Sequence, residues 1–158
     1  MTLVDKTVKS KSDTISFEFD LKHAPAKVWR ALTDPELLTR WLLPVVGFEL
    51  EPGATFTLTA PPQPGWDGKV HCQIVEIEPQ RKLSYTWVVG GIDTVVTFTI
   101  TPTASGTRLS LVQSGFKEDQ KQNFGGARYG WNLMGGRLVD LLAALPRGDS
   151  RLSFTYTR

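Results

Sequence analysis

The chain has 158 residues, 41% of them hydrophobic and 22% charged, with a net charge of +2. That balance belongs to a globular protein, and so small a charge without a basic stripe leaves no nucleic-acid surface. One cysteine, Cys72, rules out an internal disulfide and a thiolate metal cage, and no apolar run approaches the ~20 residues that span a bilayer. The expectation is one domain over 1–158, in a reducing, cytoplasmic setting and without membrane insertion.

Lys6, Lys9 and Lys11 mark a polar leader that reads as a frayed terminus. Ile15, Phe17 and Phe19 then alternate with Ser16, Glu18 and Asp20, the period of a half-buried strand. Pro25 suits the first turn of a helix bearing Val28, Trp29 and Leu32. Asp34-Pro35 breaks it; Asp34 can cap and Pro35 can start a second short helix carrying Leu37, Leu38 and Trp41. Pro44 ends that pair.

Strands dominate from there. Phe56 and Leu58 alternate with threonines, and Pro61-Pro62-Gln63-Pro64-Gly65 can only be a loop. Val70, Cys72 and Ile74 form the next strand, whose phase changes near Val75 and Ile77 as at a bulge. Leu83, Tyr85 and Trp87 face one way, and Val96, Phe98 and Ile100 follow beyond Gly90-Gly91. Leu109 and Leu111 oppose Arg108 and Ser110. Short connections and strict alternation predict an antiparallel sheet with one dry face and one threonine-covered face.

Phe124, Ala127, Trp131, Met134, Leu138, Leu141 or Leu142, and Leu145 recur at helical intervals. They predict one helix from about Phe124 to Leu145, a rod of roughly 30 Å at 1.5 Å per residue. A rod that long covers the dry face of a sheet and leaves room for a cavity beneath it. Gly130, Gly135 and Gly136 each cost the helix roughly 1 kcal/mol against alanine, so close packing on the sheet, or space beside the helix, is expected there. After Pro146 the segment 146–158 reads as an extension. Leu152, Phe154 and Tyr156 alternate in it as an edge strand, a segment paired with a second copy or a disordered end, with the ordered readings favoured by the three spaced apolar side chains, and Arg147-Gly148-Asp149 reads as an ordinary turn.

Local motifs carry a resemblance. Val28-Trp29-Arg30-Ala31-Leu32-Thr33-Asp34-Pro35-Glu36-Leu37, followed by Trp41, resembles the opening helices of the START/Bet-v-like (SRPBCC) superfamily, in the branch of homologues of the activator of heat-shock protein 90 ATPase. Gly68-Lys69-Val70, Ile77-Glu78-Pro79, Leu83-Ser84-Tyr85-Thr86-Trp87, Val96-Thr97-Phe98, Gly106-Thr107-Arg108-Leu109 and Gly130-Trp131 extend it over about 14–145. The resemblance implies an α+β helix-grip fold: a curved antiparallel sheet of six to seven strands around a long C-terminal helix, with two short helices after the first strand. The superfamily includes lipid carriers, hormone receptors, cyclases and co-chaperone modules. Co-chaperones of this branch add a large N-terminal domain, so direct chaperone activation is not expected of a chain with about 13 residues ahead of its first strand.

Candidate chemistry is sparse. His23 and His71 stand apart, without metal-type spacing, and no metal or cofactor is expected. Cys72 points inward, where a lone thiol acts as a small hydrophobe. Glu18/Asp20 and Glu118/Asp119 read as solvated faces. No catalytic residue is assigned; Asp67, Asp93, His71 or Arg128 inside the cavity would point to a cyclase- or dehydratase-type enzyme. The expected ligand-lining set is Trp41, Phe56, Leu58, Cys72, Tyr85, Trp87, Phe98, Phe116, Arg128, Trp131, Met134 and Leu138; Arg128, Tyr129 and Asn132 flank Trp131 at the rim or in solvent, and one of the three is the candidate for orienting a polar end at the cavity mouth. The expected partner is a small hydrophobic or amphipathic molecule, with a homodimer as one way to cover the tail. A chaperone- or stress-related interaction module is the alternative. Burying ~200 Å² of ligand at ~25 cal/mol/Å² contributes about 5 kcal/mol before association costs, so a purely apolar pocket would bind loosely.

Overall fold

The computed structural model describes residues 2–8 and 13–146. Its strands are β1 (Thr2–Asp5), β2 (Thr14–Leu21), β3 (Val45–Val46), β4 (Thr55–Thr59), β5 (Lys69–Glu78), β6 (Lys82–Val89), β7 (Ile92–Thr103) and β8 (Gly106–Ser114). Among the described residues these form one eight-stranded antiparallel sheet in the order β1-β2-β8-β7-β6-β5-β4-β3. The helices are α1 (Pro25–Thr33), α2 (Pro35–Trp41) and α3 (Lys121–Ala144). This is the helix-grip layout expected from the sequence, with α3 laid along the sheet's dry face.

The two-residue period decides which side chains meet α3. On β8, Thr107, Leu109, Leu111 and Gln113 are buried, and on β7 Thr94, Val96, Phe98 and Ile100 are. The phase change expected on β5 is a register shift between Ile74 and Glu76 opposite β6. Ile74 keeps the inward phase of Val70 and Cys72, Val75 is exposed, and past the shift Ile77 packs partly buried against the core. Asp34 and Pro35 act as read: Pro35 opens α2, and the Asp34 carboxylate accepts the Glu36 N–H at 2.9 Å. Asp34→Ala is expected to cost about 1 kcal/mol in a urea melt, because that first-turn donor loses its acceptor.

The leader differs from expectation. Thr2–Asp5 pairs with β2, from Thr2↔Asp20 to Asp5↔Phe17. Four residues are too few to display an alternation, and the strand is held by distant parts of the chain. Leu3 packs against the core, and the Arg128 Nε of α3 donates to Asp5 Oδ2 at 2.6 Å. Lys6 is exposed and its N–H donates to the Ser16 carbonyl. Lys9, Lys11, the 147–149 turn and Leu152, Phe154 and Tyr156 lie outside the described residues.

At Gly135, α3 packs too close to β1 and β2 to admit a side chain. A Cβ there would stand 2.9 Å from Leu3 Cδ2 and 3.1 Å from the Phe19 ring. Gly136, one position on, would meet nothing within 4 Å. Close packing therefore accounts for Gly135 and not for Gly136.

Candidate functional site

Most of the space between sheet and helix is closed by a run of aromatic contacts. Phe48 meets Phe56 at 5.0 Å, Phe56 meets Tyr85 at 5.1 Å, Tyr85 meets Phe98 at 6.1 Å, and Phe98 meets Trp131 at 6.2 Å. Trp41 joins Phe98 from α2 at 6.3 Å. Edge-on and tilted rings at these spacings suit the aromatic quadrupole and leave little void. Burial pushes the Cys72 thiol up to about 12, so it is a neutral thiol at physiological pH. Burial, and then the neighbouring Cys72, likewise raise the Tyr85 hydroxyl.

The filling stops at the end of the sheet under the first turns of α3. There a cavity of about 400 Å³ is bounded by Leu43, Trp66, Val70, Trp87, Val89, Ile92, Gln113 and Phe116, and roofed by Gln122, Asn123, Gly126 and Ala127. Gln122, Asn123 and Gly126 are exposed, so the mouth lies on that side of the helix. None of these lining residues is ionisable.

Trp66 reaches the site through the loop chemistry of its segment. Pro64 fixes one corner and Gly65 takes φ +81° at the next, which fits a type II turn. Gln63 and Trp66 exchange both backbone hydrogen bonds at 2.9 Å. The indole Nε1 donates to the Lys69 carbonyl at 3.0 Å, and the Ala60 N–H donates to the Gly68 carbonyl at 2.7 Å, which closes the loop.

One buried polar chain edges the cavity. Trp131 Nε1 donates to Gln113 Oε1 at 2.7 Å. Gln113 Nε2 donates to Thr94 Oγ1 at 2.9 Å, and Thr94 Oγ1 donates to the Trp87 carbonyl at 2.8 Å. An indole nitrogen can only donate, so the Gln113 amide has one orientation.

Of the residues expected to line a pocket, Trp87 and Phe116 border this cavity, and Trp131 touches Trp87 at 5.2 Å and holds Gln113. Trp41, Phe56, Leu58, Cys72, Tyr85, Phe98 and Leu138 lie in the closed core, with Met134 partly buried against it. Arg128 is engaged by Asp5. Partial burial raises the Asp5 carboxyl, but hydrogen bonds from Thr7 and the Arg128 guanidinium outweigh it and hold the group below the usual carboxylate range. His71, Asp67 and Asp93 are exposed. Glu18 pairs with Arg108 at 3.8 Å, and Glu118 and Asp119 form an exposed 3-10 turn before α3. His23 Nδ1 lies 3.1 Å from Lys27 Nζ. Among the described residues no group of three or more His, Cys, Asp or Glu is placed to hold a metal ion, and no helix is long and apolar enough to cross a membrane.

Gln113 and Trp66 line the cavity without having been expected there, although each carries a signal in the sequence. Gln113 continues the inward phase of Leu109 and Leu111, and a polar residue at a buried position is more informative than an apolar one. Trp66 is a large aromatic in a loop that has no strand to bury it.

Among solved structures, protein MLL2253 of Mesorhizobium loti is 38% identical, with a TM-score of 0.78 over 84% of this chain and 98% of its own. CalU16 of Micromonospora echinospora is 25% identical with a TM-score of 0.69, over 90% of this chain and 85% of its own. Bacillus halodurans protein BH1534 is 26% identical with a TM-score of 0.69, over 82% and 96%. No curated protein matches. The family model for Activator of Hsp90 ATPase homolog 1-like protein matches residues 22–143. With that match laid over the two short helices, strands β3 to β8 and nearly all of α3, the chain belongs to the Activator of Hsp90 ATPase homolog 1-like family, within the SRPBCC superfamily.

Proposed function

We propose that this protein binds a small hydrophobic or amphipathic molecule in the cavity between the sheet and the N-terminal half of α3. The observation that carries this is a hollow of about 400 Å³ walled by Trp66, Trp87 and Phe116, beside a core in which Phe56, Tyr85, Phe98 and Trp131 pack ring against ring. A ligand pocket of ordinary size spans ~300–1,000 Å³ and is mainly apolar with a few polar groups. Ligand-binding cavities are also what this fold is known for.

The test uses N-phenylnaphthylamine, an uncharged fluorophore that brightens in apolar surroundings. Saturable brightening is expected, and ligand at about a hundred times Kd stabilises by roughly 2.7 kcal/mol, or about 5–11 °C in Tm for a chain of this size. Ala127 lines the cavity on the helix's half-buried face, so Ala127→Phe puts a ring into the hollow and takes up part of its volume. It is expected to weaken the fluorophore at least tenfold while the protein stays folded. No brightening with the parent protein, or equal brightening with Ala127→Phe, overturns the reading.

A further inference from the structure

We infer that Gln113 makes this cavity selective for an uncharged, flat, two- to three-ring molecule that carries a hydrogen-bond acceptor, to which the amide N–H of Gln113 donates. This rests on the cavity being a ligand site and goes on to name the class of ligand.

Gln113 is buried on β8 and borders the hollow. Its amide nitrogen has two hydrogens, and one goes to Thr94 Oγ1. Its oxygen has two lone pairs, and one receives the Trp131 N–H. Among the described residues the second hydrogen and the second lone pair have no partner. The two vacancies are not equivalent. Buried N–H groups without a partner are rarer in folded proteins than under-used carbonyl oxygens, so the hydrogen is the group that needs a partner. The Trp131 donation also polarises the amide and strengthens that N–H as a donor. Since Trp131 can only donate, the amide cannot flip to offer its oxygen instead. The complementary ligand atom is a carbonyl or ether oxygen.

Charge follows from the lining. With no ionisable side chain along the walls, a carboxylate or ammonium would lose its hydration and gain no counter-charge. Shape follows from the Trp66, Trp87 and Phe116 rings, which favour stacked or edge-on aromatic partners. Size follows from volume: an apolar cavity of about 150 Å³ holds benzene, and this one is about 400 Å³.

Fluorene, fluorenone and a fluorenone carboxylate separate these claims by displacement of bound N-phenylnaphthylamine. Fluorenone, the same tricyclic frame with a carbonyl, is expected to displace the fluorophore at roughly three- to tenfold lower concentration than fluorene, the range of one hydrogen bond. The carboxylate is expected to be at least about tenfold weaker than fluorenone. Gln113→Met, similar in length but without a donor, is expected to abolish the fluorenone preference. Should that variant not fold, the infrared carbonyl band of fluorenone bound to the parent protein still reads the contact. It is expected below its position in a hydrocarbon solvent. The inference is overturned if the ketone and hydrocarbon bind equally to the parent protein, if the preference survives Gln113→Met, if the carboxylate competes as well as the ketone, or if the band stays at its hydrocarbon position. Each of those results leaves the cavity reading standing. Failure of the fluorophore itself to bind overturns both.

Discussion

Trp131→Ala is expected to lower Tm by roughly 6–20 °C, one of the largest effects of any single substitution in this chain. Trp131 is 1% exposed and joins two neighbours, Trp87 at 5.2 Å and Phe98 at 6.2 Å. Truncating such a side chain costs about 3–5 kcal/mol through lost burial and the space left behind, and each kcal/mol moves Tm by about 2–4 °C at this size. The loss also orphans the Gln113 oxygen, which then sits in the core without its donor. Trp131→Phe keeps part of the packing. It leaves a ring against Trp87 and Phe98 but removes the N–H and a portion of the bicyclic indole, for an expected cost of at least about 1–3 kcal/mol. Trp131→Phe combined with Gln113→Met removes both partners, and the pair is expected to be less damaging than the sum of the single changes. Strict additivity in urea melts would mean that the 2.7 Å contact contributes nothing of its own.

The sheet was legible in the sequence because alternation and burial share a period. Wherever a strand has three or more apolar residues in phase, its buried face is fixed, and β2 and β7 are built that way. The two short helices were legible from Asp34 and Pro35, whose capping roles are local. The strand β1 was not: Leu3 and Asp5 hold it through contacts with the core and with Arg128, more than a hundred residues away in the chain. The site was legible in kind more than in place. Tyr85 and Trp87 share one phase on β6, yet Tyr85 is sealed between Phe56 and Phe98 while Trp87 borders the open end. Phase tells that a side chain points inward. Whether it meets another ring or an empty space depends on what the opposite element brings, and here that element is α3 with Gly126 and Ala127 above Trp87's end of the sheet. Arg128 shows the converse. Its neighbours in sequence placed it near a cavity mouth, but the carboxylate that engages it comes from a strand the sequence concealed.

Gly68→Ala is expected to cost at least ~3 kcal/mol and to remove the wall that Trp66 provides. Gly68 has φ +83°, where a side chain is strained by about 1–3 kcal/mol. An added Cβ would also overlap the Ala60 carbonyl oxygen and stand 3.2 Å from Pro62 N. Both are backbone atoms, so no rotamer change relieves the clash. The strand end must part, and with it the Ala60 N–H to Gly68 carbonyl bond that closes the loop. Gly65→Ala is the matched control: φ is nearly the same at +81°, but the added Cβ meets nothing within 4 Å. The control is expected to lose about 1 kcal/mol and keep its ligand affinity, since the Gln63–Trp66 pairing is not obstructed. Gly68→Ala is expected to drop Tm by roughly 6–12 °C and to weaken N-phenylnaphthylamine at least tenfold, because Trp66 is displaced from the cavity while the rings from Phe56 to Trp131 stay packed. Equal losses in the two variants, by melting and by fluorophore binding, would assign the effect to backbone strain alone and deny the Ala60–Gly68 closure any part in holding Trp66 over the site.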